Sequence, residues 1–415
     1  MPSLGSSLAA VTLTLPATLA ANLLVSHYNG NLYSLTYTAG ATGTLAVKQT
    51  LKACGAMPSW LTLDSATGTL WCTDEASNGN PVLTQLSVDA AGQIKSTGVA
   101  KATGGEVHGS LYGGTDGKGF YAAAEYAPSS ISTWKLPLTG GTQPQQRLTF
   151  TMAGPGPVAA RQDKPHPHAV VPDPTGQFLL APDLGADLLR LFSVDPATGA
   201  LTSCANVKTG PGDGPRHAAW WAPSGGGGEN GNVTSGNGRR RQRQQQPPPP
   251  AQPQMLFVVN ELGNSVSGWK VSYPGGCLGL AHTQTLATYA AGQRAPAGAK
   301  AAEVHVAGDF VYVVNRNDQS FGATQDSVAT FRVDAGTGQL AFVEATSAYT
   351  YYPRTFQINK AGDLVAWGGQ TSSTVAIVPR NPTTGRLGPV ITSLLVGTPG
   401  TPGNEDGLSA VIWVE

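Results

Sequence analysis

The chain has 415 residues, of which 40% are hydrophobic, so it can bury a large core. Its 25 basic and 25 acidic side chains balance, and charged residues make up only 12% of the total. A neutral chain of this kind has no overall field that would attract nucleic acid or an anionic membrane surface. No stretch is long and apolar enough for a membrane-spanning helix. We therefore expect neither a nucleic-acid partner nor membrane insertion.

Residues 1–21 form an apolar segment that ends in small residues, which is typical of a secretory signal. No Lys or Arg precedes Lys48, however, so the positive start of such a signal is missing. An Asn-Val-Thr glycosylation sequence at Asn232 is compatible with export. Export is the favoured interpretation, and a disordered or surface-packed leader on a cytoplasmic protein is the alternative.

Short turn phrases rich in Asp, Asn, Pro and Gly recur along the chain and join pairs of apolar runs. They lie at residues 64–68, 173–176, 195–199, 334–338, 359–362 and 381–385. Such residues supply the backbone geometry that tight hairpins need. The runs between them are of strand length and rich in β-branched or aromatic residues, and no long helical periodicity occurs. The pattern predicts antiparallel hairpins throughout.

Four strands per unit, repeated about every 40–50 residues, are typical of a β-propeller. The first strand of each unit is predicted at residues 58–64, 107–113, 167–173, 215–221, 302–307, 353–359 and 408–414. The last of these has no strands after it, so the N-terminal strands must complete its sheet. We therefore predict an all-β fold, a seven-bladed β-propeller of four-stranded antiparallel blades, with the N- and C-terminal strands sharing one blade. Residues 22–415 would form this single domain.

One segment does not fit the repeat. Residues 224–254 are rich in Gly, Gln and Pro and interrupt the fourth blade between its first and second strands. Such a composition cannot build a core, so we predict a disordered, solvated loop. The arginine-rich run at 239–243 is a weak basic patch in the alternative interpretation.

The four cysteines are even in number and lack the paired spacing of a zinc knuckle. Cys54 precedes one strand pair and Cys72 lies inside it, which makes a disulfide plausible. Cys204 and Cys277 lie near outer strands of successive repeats and would form a second. Buried free thiols remain the alternative at this stage.

In a propeller the first strands line the central channel, and their starts lie beside the ends of the second strands. The starts carry Ser59, His108, His168, Arg216, Glu303, Arg354 and Ser409. The ends carry Glu75, Glu125, Asp183, Glu261, Arg316, Gln370 and His27. Burying such charges costs several kcal/mol per ion unless they pair or meet a ligand. We therefore predict a functional site at the channel mouth, with a structural ion-pair lattice as the alternative.

Several phrases in order resemble the seven-bladed propeller lactonase family, which includes bacterial 6-phosphogluconolactonases and fungal carboxy-cis,cis-muconate cyclases. They are "PHPHAVVPDPTGQFLLAPDLGADLLRLFSVD", "GPRH", "VVNELGNSVSGWKV", "AAEVHV", "YVVNRNDQS", "DSVATFRVDAGTGQL" and "YPRTFQINKAGDL". The resemblance covers nearly the whole chain outside the leader and the insert. It implies a small-molecule lactone substrate and does not imply a metal or other cofactor. In the muconate-cyclase branch the residues implied in lactone chemistry fall, by local motif, on His168, Arg216, Glu261 and Arg316. The phrase "RHAAWWAP" is one residue longer than the family's, which leaves the position of His217 open.

Hydrolysis of a lactone needs a base for water, positive charge on the developing oxyanion and a proton for the leaving alkoxide. His168 suits the base, and Glu261 is an alternative base, or the final acid if burial raises its pKa. Arg216 and Arg316 would bind the substrate anion or polarise the carbonyl. Further substrate contacts are expected from His166, Asp183, Glu303 and Arg354. For His166, a plain hydrogen bond to a loop carbonyl is the alternative.

Other site residues are expected to be structural. These are the histidines His27 and His108, and the tryptophans Trp60, Trp134, Trp269 and Trp413, which should pack between blades. No Gly-x-Ser-x-Gly elbow occurs, so a serine triad is not supported. A metal site built from Glu303, Asn315 and Asp183 is a further alternative.

The sequence thus favours a monomeric lactonase that acts on a sugar-derived lactone such as 6-phosphogluconolactone. One alternative is an enzyme of the carboxy-cis,cis-muconate cyclase type, which forms a lactone. The other is a propeller without catalytic activity that binds a partner.

Overall fold

The computed structural model describes residues 20–40, 42–223 and 254–415. Regular structure in this part of the chain is entirely β, in 29 strands that form seven antiparallel sheets. No helix long and apolar enough to cross a membrane occurs among these residues. Most of the leader, Asn232, the arginine-rich run and nearly all of the insert lie outside the described residues.

The strands follow one another in hairpins. The first three are β1 (Ala20–His27), β2 (Asn31–Thr38) and β3 (Thr44–Lys52). Blade 1 contains β4 (Pro58–Asp64), β5 (Thr69–Asp74), β6 (Val82–Val88) and β7 (Ile94–Lys101). Blade 2 contains β8 (Glu106–Tyr112), β9 (Phe120–Glu125), β10 (Ser130–Lys135) and β11 (Gln146–Thr149). Blade 3 contains β12 (Val171–Pro172), β13 (Phe178–Asp183), β14 (Leu188–Val194), β15 (Leu201–Ser203) and β16 (Val207–Lys208).

The second half repeats the plan. Blade 4 contains β17 (Pro215–Trp221), β18 (Met255–Asn260), β19 (Ser265–Ser272) and β20 (Gly279–Ala287). Blade 5 contains β21 (Lys300–Ala307), β22 (Phe310–Arg316), β23 (Ser327–Val333) and β24 (Leu340–Ser347). Blade 6 contains β25 (Pro353–Ile358), β26 (Leu364–Gly369), β27 (Thr374–Pro379) and β28 (Thr392–Leu395). The last strand is β29 (Leu408–Val414).

The ring closes through both chain ends. Strand β29 pairs with β1, and the sheet order β29-β1-β2-β3 defines blade 7. The prediction of a seven-bladed propeller closed by a shared blade is therefore confirmed.

Blade 3 departs from the four-strand plan. Its innermost strand β12 has only two residues, preceded by an isolated bridge between Pro167 and Asp183. Proline has no N–H to donate to a ladder, which explains the interrupted pairing at Pro167 and Pro172. The outer edge is split, because β15 and β16 both pair with β14.

The core consists of seven apolar clusters, one at each interface between neighbouring blades. Strand β18 shows how a blade serves two of them. Leu256 and Val258 pack towards blade 3, whereas Phe257 and Val259 pack towards blade 5. Side chains alternate between the faces of a strand, so each blade buries both faces only when it has two neighbours.

Two disulfides cross blade boundaries. Cys54, just after blade 7, pairs with Cys72 of β5 in blade 1, with their Cα atoms 5.7 Å apart. Cys204 of blade 3 pairs with Cys277 of blade 4, with their Cα atoms 6.0 Å apart. All four cysteines lie in the described ranges and none is free, so the alternative of buried thiols is not observed.

The innermost strands share a local irregularity near the channel mouth. In β17, Pro215 pairs with Asn260 and His217 with Val259, so that Arg216 is an extra, unpaired residue. The extra residues in the corresponding strands of other blades are Ser59, Val107, Arg354 and Ser409. A bulge of this kind bends the strand and re-aims a side chain.

This register corrects the predicted ring position of His108. Glu106 pairs with Glu125 as Pro215 pairs with Asn260, so Val107 is the bulged residue of blade 2. His108 therefore lies one residue further along and corresponds to His217, not to Arg216. The hairpin pattern alone could not locate this single-residue shift, because it does not interrupt the strand.

Candidate active site at the channel mouth

Glu261 lies at the centre of a buried ion-pair cluster. It follows β18, and its Oε2 atom lies 3.0 Å from Nε of Arg216 and 2.8 Å from Nη2 of Arg316. Its Oε1 atom lies 2.7 Å from Nη1 of Arg161. Arg216 comes from the bulge of β17 and Arg316 ends β22 of the next blade. Three of the four residues predicted to be catalytic are therefore in direct contact.

In this cluster one carboxylate faces three guanidinium groups. Burial alone would raise the pKa of Glu261, but the guanidinium groups of Arg161, Arg316 and Arg216 together outweigh it and lower the pKa far below its ordinary value. The final-acid role required burial to raise the pKa of Glu261, and the three arginines prevent this rise. Glu261 is an ionised carboxylate that holds arginines in place.

Arg316 keeps unused hydrogen-bonding capacity. Burial, followed by the charge of Arg316, lowers the pKa of Arg216 to about 9, so Arg216 remains a cation at neutral pH. The Nε atom of Arg216 faces Oε2 of Glu261, whereas Arg316 meets the same oxygen through Nη2. The Nε atom of Arg316 is buried and has no acceptor among the described residues. A donor in this state suits an oxyanion supplied from outside.

His168 lies beside this cluster. Its backbone N–H donates to the carbonyl of Pro182 in β13, and its Nδ1 atom lies 3.2 Å from Nε2 of His217. Burial lowers the pKa of His168 well below its ordinary value, and the charges of Arg216, Arg354 and Arg316 act in the same direction. The ring is therefore neutral at neutral pH. The structure brings His168, Arg216, Glu261 and Arg316 into one site.

Glu303 lies behind His217. Its Oε2 atom lies 2.9 Å from Nδ1 of His217, and the backbone N–H of Val304 donates to Oε1 at 3.0 Å. The sequence predicted a substrate contact for Glu303, whereas the structure places it against a second histidine. His217 itself follows the bulge at Arg216, which fixes the position that the sequence left open.

Arg354 forms a second ion pair at the ring. Its Nη2 atom lies 3.2 Å from Oε2 of Glu75, which also accepts a hydrogen bond of 2.6 Å from the Tyr28 hydroxyl. Burial raises the pKa of Glu75, and the charge of Arg354 opposes this effect. Arg354 thus adds a cation on the side of the channel where blades 6, 7 and 1 meet.

Two predicted substrate contacts are occupied by the protein itself. His166 stacks on Tyr126, and its ring nitrogens meet the Tyr126 carbonyl and the Asp163 carboxylate, each at 2.9 Å. The carboxylate of Asp183 accepts from the His166 backbone N–H and from Nε of Arg190, both at 2.7 Å. Both residues stabilise the wall of the site, as the loop-carbonyl alternative for His166 proposed.

The alternative metal site is not assembled. Asn315 accepts from Thr288 and donates to Ser327, while Asp183 and Glu303 have the partners given above. Across the ranges 20–40, 42–223 and 254–415, no group of three or more His, Cys, Asp or Glu side chains is arranged to hold a metal ion.

Sequence reasoning missed Arg161. Arg161 belongs to the long connection between β11 and β12, where no strand pattern marks it. Trp60 of blade 1 packs against His108 of blade 2 as expected, with ring centroids 4.2 Å apart, although it lies outside the apolar inter-blade clusters. The other three tryptophans, Trp134, Trp269 and Trp413, are buried in those clusters as expected.

Comparison with known proteins gives consistent results. A "Probable 6-phosphogluconolactonase" of Arthroderma benhamiae is 30% identical over 338 residues, which cover 81% of this chain and 77% of that protein. A 6-phosphogluconolactonase of Bacillus subtilis is 25% identical, with 65% of each chain covered.

Solved structures share the fold. The periplasmic gluconolactonase PpgL of Pseudomonas aeruginosa superposes with a TM-score of 0.71 at 25% identity, covering 96% of this chain and 99% of that one. A Lactobacillus plantarum protein gives a TM-score of 0.74 at 21% identity, with 96% and 100% covered. The family described as "Lactonase, 7-bladed beta-propeller" matches residues 22–403. The chain therefore belongs to the seven-bladed β-propeller lactonase family.

Proposed function

We propose that this protein hydrolyses a sugar-derived lactone at the channel mouth. The observation that carries the proposal is a pair of buried arginines, Arg216 and Arg316, held on one carboxylate and close enough for their charges to lower the pKa of the buried His168 imidazole. The names of the Arthroderma, Bacillus and Pseudomonas relatives support the same reaction class.

His168 acts as the general base. A neutral imidazole accepts a proton from water while the water oxygen attacks the lactone carbonyl carbon. The carbonyl π electrons move onto oxygen, which becomes the oxyanion of a tetrahedral intermediate.

Arg216 and Arg316 stabilise that oxyanion. Both side chains are buried, and Glu261 holds them through ion pairs of 3.0 Å to Nε of Arg216 and 2.8 Å to Nη2 of Arg316. Nε of Arg316 has no acceptor among the described residues and is the free donor of the pair. A preorganised donor of this kind contributes about 2.7–4 kcal/mol to the stabilisation of a transition state.

The imidazolium of His168 then returns its proton. As the intermediate collapses, the ring C–O bond breaks and the leaving alkoxide takes this proton, which gives the open hydroxy acid. Glu261 does not supply this proton, because its ionised carboxylate has none to give.

The substrate class depends on the compartment. Two disulfides fit an oxidising compartment, in which phosphorylated sugars are scarce, and PpgL is a periplasmic gluconolactonase. The excess of arginines instead fits an anionic substrate such as a 6-phosphogluconolactone. We propose export and an unphosphorylated sugar lactone as the physiological case, with the phosphorylated lactone as the second candidate.

A pH-stat assay tests the proposal. Proton release is measured on glucono-δ-lactone, its 6-phosphate and muconolactone, with and without a chelator. We expect turnover of a sugar lactone, a loss of about 10²–10³-fold in Arg316→Ala, and a loss of similar size in His168→Ala. Arg386→Gln removes an exposed arginine paired with Glu344 and serves as the control. Rates equal to the spontaneous ones on all three compounds would favour a propeller without catalytic activity.

A further inference from the structure

We infer that His217 and Glu303 are positioning residues that fix the tautomer of His168, leaving Nε2 as its only proton acceptor. The two residues form a hydrogen-bonded chain that ends at Nδ1 of His168. The catalytic consequence of this chain rests on the function proposed above, whereas the tautomer itself is a property of the resting protein.

The chain begins at Glu303. Both of its carboxyl oxygens lie near Nδ1 of His217, at 3.0 and 2.9 Å. The backbone N–H of Val304 also donates to Oε1. Two oxygens that share one ring nitrogen, with a further N–H donor, are the environment of a carboxylate acceptor. The Nδ1 atom of His217 therefore carries the hydrogen.

The second link joins His217 to His168, and its direction follows from the number of hydrogens on a neutral imidazole. A neutral imidazole has a single N–H, so Nε2 of His217 is an acceptor. Burial lowers the pKa of His217 well below its ordinary value, and the charge of Arg216 adds to this effect, which keeps the ring neutral. The atom that faces Nε2 is Nδ1 of His168 at 3.2 Å, and it must donate. His168 is then left with a lone pair on Nε2, which has no hydrogen-bond partner among the described residues.

A reversed arrangement is physically distinct. If Glu303 were protonated, it would donate to Nδ1 of His217, and every N–H in the chain would switch sides. Nε2 of His168 would then carry the hydrogen and could not accept a proton from water. Burial raises the pKa of Glu303, while the charge of Arg216 opposes this rise. The Val304 N–H and the double contact with His217 favour the carboxylate form.

Long-range ¹H–¹⁵N NMR spectra of the full-length, ¹⁵N-histidine-labelled protein distinguish the two arrangements. The His168 signals are assigned by their disappearance in His168→Gln. We expect Nδ1 to be protonated and Nε2 unprotonated in the resting wild-type protein. A wild-type spectrum with Nε2 protonated overturns the inference.

Variants of His217 test whether the tautomer of His168 depends on His217. His217→Leu removes the acceptor, so we expect mixed His168 tautomers and a fall in kcat of about 10²-fold with KM changed by less than about twofold. His217→Gln keeps a carbonyl acceptor at this position, and we expect it to restore the single tautomer and most of kcat. His108→Gln is the matched control, because its ring packs 5.1 Å from that of His217 but lies outside the chain.

The outcomes remain separable. A single His168 tautomer and an unchanged kcat in a folded His217→Leu would show that His217 does not position His168. If His217→Leu fails to fold, the wild-type and His217→Gln spectra decide. If no lactone is turned over, the proposed function fails, but the tautomer measurement needs no substrate and still supports or overturns the positioning role.

Discussion

Arg161, in the connection between blades 2 and 3, places its Nη1 atom 2.7 Å from Oε1 of Glu261 in blade 4. It is the most exposed of the three arginines on this carboxylate, with 29% of its side chain accessible against 1% for Arg216 and 6% for Arg316. One carboxylate cannot neutralise three guanidinium groups. Arg161 is thus the cation best placed to contact an arriving anion.

Removing Arg161 should therefore affect anionic substrates most. We expect Arg161→Gln to reduce kcat/KM by about 10–100-fold on a 6-phosphorylated lactone, since a hydrogen bond to a charged group contributes about 1.5–3 kcal/mol. The reduction on neutral glucono-δ-lactone should be severalfold smaller. Parallel steady-state assays measure both, with Arg386→Gln as the charge-matched control. Equal losses on the two substrates would contradict a role in anion binding.

Glu261 should be required for folding stability. Its replacement by Gln leaves the buried cations Arg216 and Arg316 without their partner, which costs about 3–5 kcal/mol. Thermal or denaturant unfolding at pH 7 measures this loss. Because the pKa of Glu261 is lowered in the folded protein, its stabilisation is present above the ordinary value of 4.5 and is lost as pH falls below it. The wild type and Glu261→Gln should therefore converge in stability in acid, and a constant difference down to pH 2 would contradict this account.

A site residue could be predicted from the sequence when its position follows from the repeated hairpins. His168, Arg216, Glu261 and Arg316 could be located because they lie at, or within a few residues of, strand ends that the repeated hairpins predict. Arg161 could not, since its connection has no repeat to align with. The direction of the pKa shift of Glu261 was also inaccessible, because it depends on how many cations surround one carboxylate.

The fold likewise has features that the sequence predicts and features that it does not. Seven blades and their closure follow from strand spacing and from the unpaired ends, both of which are visible in the sequence. The bulges are not visible, because one extra residue leaves the apolar pattern of the strand intact. In β17 the bulge nevertheless gives Arg216 and His217 different positions in the strand. Arg216 is thereby placed as the proposed oxyanion donor and His217 as the proposed positioning residue.

The pH dependence of turnover should report His168. Its pKa is lowered by burial and by the charges of Arg216, Arg354 and Arg316, and the rings of Tyr126 and His217 also pack against it. A base must be unprotonated, so kcat/KM should stay constant from neutral pH down to well below 6.5 and fall only in more acidic solution.

Arg354→Gln tests the electrostatic part of this shift. Removing one of the cations should raise the pKa of His168 towards its ordinary value, so the acid limb of the profile should move to higher pH. Profiles of kcat/KM against pH for the wild type and the variant provide the measurement, and Arg386→Gln should leave the limb in place. An acid limb that does not move would mean that His168 is not the group that titrates.

Glu106 should make the stability of blade 2 dependent on pH. It begins β8 fully buried, opposite Glu125 in β9, and its Oε1 atom accepts from the backbone N–H groups of Thr103 and Gly104. Its Oε2 atom has no partner among the described residues. Burial, followed by the charge of Glu125, raises the pKa of Glu106 to about 8.

The sign of the effect is the opposite of that for Glu261. Between the ordinary value of 4.5 and about 8, folded Glu106 keeps a proton that the unfolded chain releases, so stability falls as pH rises through this window. Glu106→Gln resembles the protonated acid and does not titrate. Its melting temperature should therefore rise relative to that of the wild type between pH 5 and pH 9, whereas Glu344→Gln, at an outer ion pair, should show no such trend. A difference in melting temperature between the wild type and Glu106→Gln that stays constant from pH 5 to pH 9 would mean that Glu106 ionises in the folded protein as easily as in the unfolded chain.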